Sequence, residues 1–348
     1  MSRALHKWTA AIMLASCSVA AAQDADALVE QGLAMAQQNR PAEAEKLWKQ
    51  ALAIAPRLYS ANFNLGFLYF SQNDLEKAAR LLNAAAEIDP KQFNAQYLAG
   101  AALSKIGRVD DALRHWRSAA QLRPNDPKLL QLLAVEYSKG RYYRDAAESA
   151  EAALAIAGDN PNLYLLAIKA RQDAQDHPAA LKLAERMIGK FPDHPRARFE
   201  YGFELVRNGR PAEGLPYIQK AMQSAEPWEE PYFFYGELMV QQRKFDEAIP
   251  ALRKALELRR DYMAAWVLLA RALMGKGDNE QAKAELLRAI EVNPKHPQPY
   301  LILSQLYFRL GEEDKAAESK ALSLKLRRED PGALESLPGR VFAGKDRK

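Results

Sequence analysis

His115, His177, His194 and His296 are the side chains best suited to act as bases or metal ligands, and they are scattered along the chain with no shared spacing. No HExxH, CxxC, glycine-rich phosphate loop or nucleophile elbow accompanies them. His194 and His296 fall at turns, where the expected state is a solvated imidazole. The acid pairs Glu229-Glu230 and Glu312-Glu313 open helical segments, where carboxylates complement the helix dipole. The chain therefore reads as a non-enzyme, with no catalytic residue, metal set or cofactor motif, and the tail 331–348 is too short for a catalytic domain.

A second kind of chemistry is aromatic. Residues 62–70, NFNLGFLYF, put four rings into nine positions. Phe63, Phe67 and Phe70 are spaced i, i+4, i+7 and share one side of a helix, while Leu65, Gly66 and Tyr69 share another. The second side reads as core and the first as a surface able to receive a partner.

Composition bounds those partners. The 348 residues are 48% hydrophobic and 27% charged, as in folded proteins. The formal charge is +5, and +3 once Arg3 and Lys7 are removed, with both signs interspersed. That balance supplies no electrostatic footprint for nucleic acid. Arg3 and Lys7 precede an apolar run from Trp8 to Ala22 that ends in Ala20-Ala21-Ala22, the pattern of an export signal over residues 1–22. The run is too short to span a bilayer, so no transmembrane helix is expected. Leu14-Ala15-Ser16-Cys17 also resembles a lipoprotein signal, so cleavage after Ala22 and acylation of Cys17 with a lipid anchor both stay open. Either way the expected location is periplasmic or outer-membrane-associated. Cys17 is the only cysteine, which excludes an intrachain disulfide.

The elements that must position the rings emerge from a repeat. Stepping by 34 from Pro56 meets Pro90, Pro124, Gly158 and Pro192 in register. Units starting at Ala25, Tyr59, Phe93, Pro127, Pro161, Pro195, Glu229, Met263 and Pro297 follow one another without an insertion, covering 25–330. Position 20 is small throughout, as in Ala78, Ala112 and Gly214, and position 8 is small in all but Ile168. Small residues at fixed places let helices approach closely, and the period leaves room for two helices and two turns. Asn39, Asn73, Gly107, Gly209, Gly277 and Gly311 occupy position 15, where the first helix must end in a left-handed turn.

With Leu65, Gly66, Tyr69, Ala78, Leu82, Ala85 and Pro90 in the second unit, the chain resembles the tetratricopeptide repeat family over residues 25–330. The resemblance implies an all-α solenoid of nine helix-turn-helix units in a right-handed superhelix, with the first helix of each pair lining a concave groove. It also implies that positions 5, 9 and 12 line that groove. The candidate binding residues are then Phe63, Phe67, Phe70 and Tyr97, followed by Lys169, Phe199, Phe203, Arg207, Phe233 and Arg271. Burial of these rings between neighbouring repeats stays open as the alternative. The family's carboxylate clamp and its asparagine ladder are both missing here.

The expected function is a scaffold or adaptor that holds an extended or helical segment of a partner protein, as a monomer or as one component of a complex. Two other readings stay open: a structural assembly subunit using its convex face or ends, and an accessory factor of cell-wall or exopolysaccharide synthesis. Two irregularities stand out. Ile168, Arg171 and Met187 depart from the pattern in the fifth repeat, which is expected to pack less well and divide repeats 1–4 from 6–9. Lys320 and Ser323 give the last helix the polarity of a cap.

Overall fold

The computed structural model describes residues 23–331; the expected export signal over 1–22, with Cys17, and the tail 332–348 lie outside them. Among the described residues the chain is all helix and turn, with eighteen helices that pair within the 34-residue period. The first four hairpins are α1 (23–37) with α2 (Pro41–Ile54), α3 (Tyr59–Ser71) with α4 (Leu75–Ile88), α5 (Phe93–Lys105) with α6 (Val109–Leu122), and α7 (Pro127–Lys139) with α8 (Tyr143–Ala157). The other five are α9 (Pro161–Asp173) with α10 (His177–Lys190), α11 (Pro195–Arg207) with α12 (Pro211–Met222), α13 (Glu229–Gln241) with α14 (Phe245–Leu258), α15 (Met263–Lys276) with α16 (Asn279–Val292), and α17 (Pro297–Arg309) with α18 (Glu313–Glu329).

The hairpins form two compact units, one ending at Gly158 and the other beginning at Asp159. The fifth repeat falls wholly in the second unit. Its irregular residues are not poorly packed, since Ile168 and Met187 are fully buried. The division thus precedes the fifth repeat instead of running through it.

Each hairpin turn is set by its backbone. Position 15 adopts positive φ in every repeat, from 58° at Arg243 to 90° at Gly277. Six of these positions carry Asn or Gly; Arg141, Gln175 and Arg243 fill the other three. The residue after each returns its N–H to a carbonyl five residues back, as in Asp74 to Tyr69 (2.9 Å) and Lys244 to Met239 (2.8 Å), which satisfies helix-end acceptors. Pro127, Pro161, Pro195 and Pro297 begin the next repeats' first helices, where the missing N–H costs nothing.

Helices within a hairpin touch through small residues. A Cβ added at Gly100 would lie 2.5 Å from Trp116 Cδ1, and one at Gly32 would lie 2.4 Å from Trp48 Nε1. Only glycine lets these indoles sit flat against the facing helix. Each indole also donates across the hairpin, Trp48 to the Val29 carbonyl (3.2 Å) and Trp116 to the Tyr97 carbonyl (3.0 Å).

His296, expected to be solvated, is buried: its Nδ1 accepts from the Gln298 N–H (3.3 Å) and caps α17. The correction has a local cause, because the turn folds the ring over the start of its own helix. Ser323 is also more than a polar gap in the last helix, since its hydroxyl donates to the Pro297 carbonyl (2.8 Å).

Candidate functional site

In the N-terminal unit, α3 buries Ala61, Asn62, Leu65, Gly66 and Tyr69. Asn62 donates to the Pro56 and Leu58 carbonyls (3.0 and 2.9 Å), tying the helix start to the preceding turn. Tyr69 is core, as its side of the wheel implies, and its hydroxyl donates to Glu45 Oε1 (2.8 Å). That contact and the bond to Lys49 hold the Glu45 carboxyl below the usual range, the lysine bond being the larger cause.

With one side fixed, the other carries a ladder of rings. Tyr59 stacks on Phe63 with centroids 5.7 Å apart and planes 11° apart, and Phe63 stacks on Phe67 at 6.5 Å and 8°. Phe63 and Phe70 are half-buried against the core, whereas Phe67 is 51% exposed. Ser71, one turn beyond Phe67, is small and exposed. On α5, Phe93 stacks on Tyr97 (5.7 Å, 23°), and the Arg123 guanidinium lies 3.7 Å from the Phe93 centroid. Lys105 Nζ lies 5.5 Å from the Phe70 centroid, a second cation on a ring.

The candidate rings of the C-terminal unit are placed differently. Phe199, Phe203 and Phe233 are all buried, which corrects the expectation that they line an open wall. Phe234 supplies the reason: it lies 4.6 Å from Phe203 and 6.4 Å from Phe199, while Trp228 meets Phe199 edge-on at 6.0 Å. Tyr262 covers Phe233 at 4.6 Å. Phe234 stands at position 6 of its repeat, where the counterpart beside α3 is Leu98.

Of the charged candidates, Lys169 and Arg271 remain at the surface. Lys169 pairs with Asp173 one turn on, and Arg271 is exposed. Arg207 is half-buried over Phe203 and Phe234, at 5.2 and 6.0 Å. Burial pushes the nearby Glu237 carboxyl up, and Arg207 opposes that shift.

Two polar groups escaped the sequence reading. Glu136 on α7 is buried and receives Ser104 Oγ (2.7 Å) and Lys139 Nζ (2.8 Å), which links α5 to α7. In the C-terminal unit, the Gln172 amide donates to Glu200 (3.0 Å) and to Glu204 (2.8 Å), and His177 Nδ1 lies 3.1 Å from Glu204. Burial pushes the Glu204 carboxyl up, partly opposed by Gln172 and His177 and reinforced by Glu200. Both carboxylates are closed to solvent, and the cluster joins α9 and α10 to α11. Among the described residues there is no group of three or more His, Cys, Asp or Glu side chains able to hold a metal ion, and no helix is long and apolar enough to cross a membrane.

Tetratricopeptide repeat models match residues 35–103 and 239–306, and a further one matches 165–227. The chain belongs to the tetratricopeptide repeat family. No curated protein sequence matches it. Among solved structures it is similar to MamA from Desulfovibrio magneticus RS-1, at 17% identity over 50% of this chain and 98% of that one, with a TM-score of 0.45. It is similar also to a tetratricopeptide repeat protein from Parabacteroides merdae, at 17% identity over 72% and 99% of the two chains and a TM-score of 0.43. A third likeness is to Naa15/Naa10 bound to HypK-THB, at 15% identity over 90% of this chain and 60% of that one, with a TM-score of 0.46. As a tetratricopeptide repeat protein, the chain has the fold of a protein-interaction scaffold.

Proposed function

We propose that this protein is a non-enzymatic adaptor of the bacterial cell envelope, exported by its N-terminal signal, that holds a segment of a partner protein against the aromatic face of α3 and α5. One observation carries the reading: Phe67 stands 51% exposed at the end of a three-ring stack whose other members are held by the core. Large aromatic rings of this kind are typical interface anchors, and a wall ordered before binding loses little entropy when a partner arrives. The test is capture from envelope extract with the wild-type chain and with Phe63→Ser/Phe67→Ser, both shown folded by circular dichroism. A partner retained by the first and lost by the second supports the reading. A partner retained equally by both sinks it.

A specific observation favours a second reading, assembly through an end of the chain. Phe308 is 70% exposed, and Leu301 on the same helix and Leu324 on α18 are exposed too. Under that reading Phe308→Ser, not Phe67→Ser, abolishes association, as sedimentation velocity would show.

A further inference from the structure

Residues spaced i, i+4, i+7 and i+11 share a helix face, and in the first helices of the N-terminal unit that face has a repeating register. On α1 it carries the exposed carboxylates Asp26 and Glu30. The corresponding positions of α3 are Ser60 and Asn64, and the face there is dominated by Phe67. On α5 it ends at the exposed Lys105, and on α7 it begins at the exposed Lys128. Lys139, also on this face, is engaged by the buried Glu136. The face therefore runs from carboxylates on α1, through uncharged aromatic surface on α3, to ammonium groups on α5 and α7.

A surface ordered in this way is complementary to one kind of occupant. We propose that the segment bound here is bipolar: a short apolar stretch with basic residues on one side, facing Asp26 and Glu30, and acidic residues on the other, facing Lys105 and Lys128. This rests on the reading that the aromatic face is the binding surface. An extended chain rises about 3.3 Å per residue, so a segment of about nine residues reaches roughly 30 Å. The same arrangement disfavours a segment of single charge, because one of its ends meets like charge.

The experiment measures fluorescence anisotropy of the wild-type chain with three labelled peptides. These are Lys-Lys-Ala-Leu-Phe-Leu-Ala-Glu-Glu and its analogues with Lys-Lys or Glu-Glu at both ends. The bipolar peptide is expected to bind about fivefold more tightly than either analogue at low ionic strength, with the advantage shrinking as salt is added. Asp26→Asn/Glu30→Gln should erase its advantage over the Glu-ended peptide and keep that over the Lys-ended one. Lys105→Gln/Lys128→Gln should do the reverse. If the three peptides bind within twofold of one another while Phe67→Ser weakens all of them, the bipolar assignment is overturned and the aromatic site survives. If no peptide binds, or binding ignores Phe67→Ser, both are overturned.

Discussion

Phe67 and Phe203 hold the same place in their repeats, position 9, yet one is 51% exposed and the other 2%. The helical wheel shows which side each ring takes, and that much was legible in the sequence. What it does not show is how far the next first helix reaches across, which depends on Leu98 beside α3 and on Phe234 beside α11. The two substitutions should separate accordingly. Phe203→Ser should cost about 3 kcal/mol or more of unfolding free energy, and Phe67→Ser less than about 0.5 kcal/mol, in urea denaturation. Glu204 gives a pH prediction. Its carboxyl binds a proton more tightly folded than unfolded, so the stability it brings is full below the ordinary glutamate range and is lost as pH rises through its raised value. Glu204→Gln should therefore gain on the wild type as pH rises above the ordinary glutamate range. Denaturant midpoints that shift in parallel over that rise would count against the assignment.

Position 15 shows how elements differ in legibility. Asn and Gly announce a left-handed turn because they tolerate it, and six turns could be read that way. Arg141, Gln175 and Arg243 adopt the same conformation because the helices on either side and the returning N–H bond impose it, and no local residue type signals this. A left-handed residue with a Cβ costs about 1–2 kcal/mol, so Arg243→Gly should stabilise the chain by up to about 1 kcal/mol after the added flexibility of the unfolded state is counted. Differential scanning calorimetry would read this as a raised Tm, and a lowered one would contradict it. Elsewhere the close approach of α11 and α12 depends on paired glycines. A Cβ on Gly214 would fall 2.4 Å from the Gly202 carbonyl oxygen, and backbone cannot step aside as a side chain can. Gly214→Ala should thus cost about 1–3 kcal/mol despite alanine at position 20 in the other repeats.

At the scale of the molecule, the period of 34 and its small residues were enough to identify a helical repeat array. The division into units was not, because the irregular residues of the fifth repeat are well packed while the break falls at Gly158, whose φ of 79° and ψ of −165° suit glycine almost alone. Hydrogen exchange should show protection changing at that residue, and Phe203→Ser should loosen the helices after it while leaving α3 to α7 within error. The functional claim rests on the N-terminal unit. The measurement that addresses it most directly is photo-crosslinking in living cells with p-benzoylphenylalanine in place of Phe67, beside the same probe in place of the exposed Leu287 on α16. A discrete polypeptide adduct from the first position only, lost when Phe63→Ser is added, is the expected result. The same adduct from both positions, or none from position 67, would contradict the assignment of the aromatic face as the binding surface.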